Sequence, residues 1–244
     1  MCRDFCNTSY HQHYGTFLDQ NTSDIIFTVI TSAFIVGGML GAMVGGLVAD
    51  KLGRKKGLIL SQVTGVVGGV TMASSKALVA WEVLLVGRLV VGLTAGLNTV
   101  LVPVYVSEIA PLHLRGALGV FNQLAVTSGI FLGQILGLER VLGGDAGWPW
   151  LLAVTLIPAS LQLVLLVLGP PSPRYLAISL GDTQAARDVL LLLRAGDTRL
   201  VEEEMEEIRQ EAEAEKEPDM TVLELLKSSK LRVSLVICIV MHLR

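Results

Sequence analysis

Charge, aromatic residues and cysteine are all scarce in this chain. Of its 244 residues only 17 % are charged and 5 % aromatic, with three cysteines and four histidines. So few cysteines cannot supply a disulfide framework. Cys2 and Cys6 could form one bridge in the N-terminal segment, and Cys238 falls inside an apolar run. His11 and His13 have no third ligand near them in sequence, so no metal site is expected. Nucleophile elbow, phosphate loop and two-histidine zinc helix are all missing, which leaves enzymatic and cofactor-dependent readings without support. The net charge of −3 comes largely from one glutamate-rich stretch, so it gives no reason to expect a nucleic-acid partner.

Apolar residues are what the chain has in excess, at 52 % of the total, and the charges fall in blocks between them. Read in order, the apolar blocks predict five spans at Ile25–Ala49, Gly57–Lys76, Val83–Val106, Gly116–Leu138 and Trp148–Leu168. A sixth begins near Leu231, and the sequence stops within it at Arg244. A helix crosses a bilayer with roughly 20 apolar residues, whereas soluble helices average about 11–12. The expected class is therefore all-α and polytopic, with the lipid bilayer as its first partner.

The turn between the first two spans sets the orientation. Lys51, Arg54, Lys55 and Lys56 crowd it, which marks it as cytoplasmic by the positive-inside bias. Asp50 sits at the same membrane edge, where a carboxylate is costly unless Lys51, Arg54 or the next helix's backbone N–H groups pair with it. Residues 1–24 then lie outside the cell as a loop, which suits the glycosylation sequons at Asn7 and Asn21. Met1–Tyr14 has no apolar core or cleavage site of a signal peptide, so a preceding transmembrane helix is expected to be missing. Both ends read as cut, and the chain as a fragment or truncated isoform.

Several motifs follow in a fixed order. They are Gly46…Asp50 with Gly53-Arg54-Lys55, then Gly87-Arg88, Val102-Pro103-Val104-Tyr105, Glu108…Arg115-Gly116, Asn122-Gln123-Leu124 and Ser172-Pro173-Arg174. In that order they resemble the sugar porters of the major facilitator superfamily, and within them the animal facilitative hexose transporters, the GLUT group. The resemblance runs from about Gly15 onward. It implies a twelve-helix transporter of two six-helix halves with sugar bound between them near the midplane. This chain would then be a partial N-terminal half. Its parts would be an outer loop (1–24), helices two to six (25–168), a cytoplasmic helical linker (169–230) and a truncated start of helix seven (231–244). The second half would be its missing partner.

The resemblance also implies roles. Gln123 matches the glutamine that hydrogen-bonds the sugar, Val126 and Ile130 match cavity-lining positions, and Gln134 is a further polar residue on that helix. The residues agree by themselves, because Gln123, Ser128 and Gln134 are polar groups inside an apolar span. An amide offers two donors and two acceptors, which suits an uncharged polyol; the competing reading is that Gln123 bonds a neighbouring helix. Asn98 and Thr99, and the glycines at 37, 38, 41, 45 and 46, read as helix packing.

Asp50, Arg54, Lys55, Glu108, Arg115 and Arg174 are expected to close the inner face through salt bridges that bias a two-state equilibrium. Arg88, beside Glu82, is either a gating cation or one that snorkels to the interface. Two departures from the family pattern stand out. Position 171 is proline where glutamate is usual, and position 51 is lysine where arginine is common, which loses bidentate pairing.

Beyond 182 the character changes. Asp182 is a candidate N-cap for a helix over Thr183–Leu193, and Thr198–Glu217 reads as a charged helix with a narrow apolar stripe. A third helix is expected at Thr221–Leu226. The expected activity is uniport of a hexose such as glucose across the plasma membrane by the complete protein. The alternatives are a truncated product without transport that binds full-length transporter, or a proton-coupled symporter. No carboxylate lies mid-span, which favours uniport.

Overall fold

In a computed structural model, residues 2–15, 19–144 and 147–214 are described. Every regular element among them is helical: α1 (Cys2–Tyr14), α2 (Gln20–Leu52), α3 (Arg54–Leu78), α4 (Trp81–Ile109), α5 (Arg115–Leu136), α6 (Trp148–Ala153), α7 (Leu156–Leu168), α8 (Thr183–Leu193) and α9 (Thr198–Ala214). Five stretches are long and apolar enough to cross a membrane: α2, α3, α4, α5, and α6 with α7 together. The protein is thus a multi-pass membrane protein. Its 33-residue α2 is about 50 Å long at 1.5 Å per residue, against a hydrocarbon core of about 30 Å, so its ends project beyond the apolar layer. The fifth span is interrupted at Val154–Thr155, just before Pro158, whose missing N–H removes a helical hydrogen bond.

The segment expected as an outer loop is largely helical. Residues 2–14 form α1, and α2 begins at Gln20 rather than Ile25. Ser9 is fully buried; its hydroxyl donates to the Val79 carbonyl at 2.6 Å and accepts from the Trp81 backbone N–H at 3.1 Å. That contact pins α1 to the turn joining α3 and α4. Cys6 is buried within α1, and the side chain of Cys2, its partner in the bridge considered from the sequence, lies outside what the structure describes. Asn7 lies within α1 and Asn21 in the first turn of α2.

The most extensive helix contact joins α2 and α4, and glycine makes it possible. A Cβ added at Gly37 would land on the Leu89 carbonyl, at Gly41 on the Leu93 carbonyl, and at Gly96 on the Gly38 carbonyl. The helices therefore meet backbone to backbone, the arrangement small residues permit in membranes. Gly46 is different, since nothing lies within 4 Å of the position its Cβ would take. The packing expected there is not seen. Between α3 and α4 the contact is polar: Ser61 donates to Asn98 Oδ1 at 2.6 Å, Gln62 Nε2 reaches the same oxygen at 3.2 Å, and Thr64 meets Thr94 at 3.0 Å. Asn98 thus serves helix packing, as expected, whereas Thr99, among the described residues, bonds back to Ala95 of its own helix.

The described residues from Asp197 to Ala214 belong to a second compact unit. Within it Asp197 caps α9, accepting from the Arg199 and Leu200 N–H groups at 3.0 and 3.3 Å. Arg199–Glu203 and Arg209–Glu213 are exposed pairs one turn apart, worth a few tenths of a kcal/mol each. The helix expected at Thr221–Leu226 and the span expected from Leu231 lie outside the described residues.

Candidate functional site

The charged end of the helix bundle is built around a single-residue link. Between α2 and α3 stands only Gly53, with φ +82, and a Cβ there would sit 2.5 Å from the Tyr175 ring. Glycine is thus required twice, for a left-handed backbone and for the approach of an aromatic face. The reversal carries Asp50 and Arg54 round to the end of α4. There Arg54 Nε donates to Glu108 Oε1 at 2.8 Å, and Arg54 Nη1 reaches the Ala49 carbonyl at 3.3 Å. The Arg54 guanidinium also lies over the Tyr175 ring, 5.7 Å from its centroid.

Glu108 is the hub. Its second oxygen accepts the Ser172 hydroxyl, and Ser172 Oγ accepts from the Tyr175 backbone N–H at 3.2 Å. One carboxylate therefore ties together α3, α4 and the segment following α7. The pair is largely withdrawn from solvent, with side-chain exposures of 19 % for Arg54 and 9 % for Glu108. Asp50 is a peripheral member, 75 % exposed and 4.0 Å from Arg54. Lys55 acts through carbonyls instead, donating to Gly169 at 2.6 Å and Val167 at 3.2 Å, which fixes the end of α7. Nearby, Tyr105 donates to the Pro170 carbonyl at 2.7 Å.

Arg174 belongs to the same segment, next to Tyr175 and the π-helical turn Tyr175–Ser179. Arg115 does not join the hub: Glu108 is taken by Arg54 and Ser172, and the buried Arg115 Nε has no hydrogen-bond partner among the described residues. Arg88 is remote, 20 residues from Glu108 on the same helix or about 30 Å at 1.5 Å per residue. Its Nε is buried and likewise without a partner among the described residues. Farther along, Arg194 donates to the Ile109 carbonyl at 3.2 Å, placing α8 against the C-terminal end of α4.

Gln123, Val126, Ile130 and Gln134 follow one another at spacings of three, four and four on α5, so they share one stripe of that helix. No residue of α5 is buried. Neither glutamine amide makes a side-chain hydrogen bond among the described residues, so Gln123 is not bonding a neighbouring helix there. What the sequence missed is the aromatic and hydroxyl part of the hub. Tyr175 and the Ser172 hydroxyl carry no charge signal, and only their position beside Arg174 pointed to them.

The sequence matches the family model described as "Sugar (and other) transporter" over residues 2–243. It is 40 % identical over 242 residues to "Solute carrier family 2, facilitated glucose transporter member 5" of Homo sapiens, covering 99 % of this chain and 48 % of that protein. Against member 1 of Gallus gallus it is 35 % identical over 244 residues, covering 100 % and 49 %. Among solved structures it is similar to the partially occluded inward open form of the xylose transporter XylE from E. coli. That match has a TM-score of 0.74 and 26 % identity, covering 88 % of this chain and 54 % of the other. It is also similar to the major facilitator superfamily proton:xylose symporter XylE bound to 6-bromo-6-deoxy-D-glucose, at TM-score 0.72 and 25 % identity, with 86 % and 49 % covered. The chain spans about half the length of the curated relatives it matches.

Proposed function

The chain belongs to the sugar transporter family, and from that membership we propose that the complete transporter carries a hexose such as glucose down its gradient across the plasma membrane by alternating access. In this reading the chain supplies helices two to six, the cytoplasmic helical linker and the start of helix seven. The observation that carries it is the Arg54–Glu108–Ser172 hub, which holds three separate segments at the cationic end and leaves α5 with its polar stripe uncovered. A gate needs such a contact: strong enough to favour one state, yet made of side chains that separate without breaking any helix. Asp50, Lys55 and Arg174 belong to the same gate, and Arg88 and Arg115, half-buried with a buried Nε each, supply cations for partners elsewhere in the transporter. Gln123 and Gln134 offer amide groups to sugar hydroxyls, with Val126 and Ile130 forming the apolar wall beside them.

Uniport fits the distribution of acids. In the five described spans, Asp24, Asp50, Glu82 and Glu108 all lie within five residues of a helix end, and α3 and α5 to α7 hold none, so none of these spans places a carboxylate at its middle to carry a coupling proton. The alternative, a half-length product that binds full-length transporter without transporting, is separated by the same experiment.

That experiment is uptake of radiolabelled hexoses into proteoliposomes holding either this chain alone or the full-length transporter. The expected result is uptake only by the full-length protein, reduced about 10–100-fold by Gln123→Ala at unchanged protein level, as for one to two lost hydrogen bonds. Normal uptake by Gln123→Ala would overturn the site, and uptake by this chain alone would overturn the two-half reading.

A further inference from the structure

Beside the hub lies a cavity of about 450 Å³, between the start of α3, the end of α7 and the π-helical turn. It is within the roughly 300–1,000 Å³ usual for small-ligand sites. Its lining has two chemical halves. Ile59, Val167, Leu176 and Leu180 make an apolar wall, and Arg54, Lys55 and Lys56 bring three cations to one side. No carboxylate is among the lining residues, and position 171, where the family pattern has glutamate, is proline.

The cations are not equivalent. Arg54 is held by Glu108 and Lys55 by two carbonyls. Lys56 is exposed, with no hydrogen bond or ion pair among the described residues. Val167 and Leu180 are also exposed, at 59 % and 58 %, so the cavity opens to the surroundings along apolar side chains. Val167 sits at the end of a membrane-spanning stretch, which puts the mouth at the boundary of the apolar layer.

The geometry points to an anionic glycerophospholipid as the occupant. Its phosphate pairs with Lys56, and its acyl chain lies along Leu176, Leu180, Val167 and Ile59. A soluble anion has no use for that wall, and a zwitterionic lipid carries its own cation to the lysine. Basic pockets between membrane helices take anionic headgroups for the same electrostatic reason. This site goes beyond the transport reading and stands without it, because its test needs no sugar.

The test is native mass spectrometry of this chain in detergent, titrated with palmitoyl-oleoyl phosphatidylglycerol or with the matching phosphatidylcholine. The expected result is preferential retention of phosphatidylglycerol. Lys56→Gln should weaken that retention about five-fold, the usual effect of one basic group near an anionic surface, and leave phosphatidylcholine unchanged. Pro171→Glu, which places a carboxylate in the wall, should weaken it at least as much and guards against misfolding of the first variant. Equal retention of the two lipids, or full retention by both variants, would overturn the assignment. Displacement of phosphatidylglycerol by saturating glycerol phosphate would also overturn it, because the occupant would then be a soluble anion.

Discussion

Replacing Glu108 by glutamine tests whether the hub is a true energetic centre. The change keeps shape and one acceptor oxygen but removes the charge that Arg54 meets at 2.8 Å. An exposed ion pair would lose no more than about 1 kcal/mol. A buried cation stripped of its partner loses about 3–5 kcal/mol. The exposures of 19 % and 9 % put this pair near the buried limit. Two acceptors remain to soften the loss, the Ala49 carbonyl at 3.3 Å and the Asp50 carboxylate at 4.0 Å. The expected destabilisation is therefore about 2–3 kcal/mol, between those limits. The assay is reversible unfolding in mixed micelles, followed by far-ultraviolet ellipticity. A cycle with Arg54→Met sharpens it, since deleting both charges removes the stranded cation. The double variant should be at least about 1 kcal/mol more stable than Glu108→Gln alone. A double variant that lost the full sum of its two singles would refute the reasoning, because the two charges would then be energetically independent.

Two further variants read the fold. Gly96→Ala should destabilise the protein by at least the roughly 1–3 kcal/mol typical of overpacking, read as a clearly lower melting temperature, because its Cβ meets the Gly38 carbonyl. Gly46→Ala should not, since that site is open; equal losses from the two would contradict the backbone-to-backbone seam. Val79→Gly should stabilise by about 1 kcal/mol, because a β-branched residue at φ +48 bears a left-handed strain that glycine avoids. A melting temperature unchanged or lowered by Val79→Gly would mean the Ser9 contact depends on the valine side chain.

Much of the fold was legible for a simple reason. Backbone groups in lipid must be satisfied within the segment, so a long apolar run is already a helix. The spans at Ile25–Ala49 and Val83–Val106 were therefore found, though α2 and α4 extend beyond both at each end, because polar residues such as Gln20 and Glu108 continue a helix once outside the apolar layer. By contrast α1 was not legible. Its helix is held by Ser9 on the turn near Val79, a contact 70 residues away that leaves no periodic signal. Its composition, with Cys2, Asp4, Asn7 and two histidines, favours no element by itself.

The candidate site divides along the same line. Charges announce themselves, so Arg54 and Glu108 stand out in the motifs Gly53-Arg54-Lys55 and Glu108…Arg115-Gly116, and the structure joins them. Which acid meets which base was not fixed by spacing: Glu108 and Arg115 lie seven residues apart, yet Pro111 and the 3-10 turn Leu112–Leu114 separate the two, and Arg54 arrives from another helix to take the carboxylate. Local sequence carries the supply of charge, while the choice of partner is made by the α2–α4 seam that brings the Gly53 link against the end of α4. The gate and the glycine seam are for this reason one device. Gly96→Ala, by pushing α2 away from α4, should weaken the Arg54–Glu108 contact as well as the packing, so its loss should shrink when Glu108→Gln is already present. Strict additivity of these two changes would show that the seam and the hub are built independently.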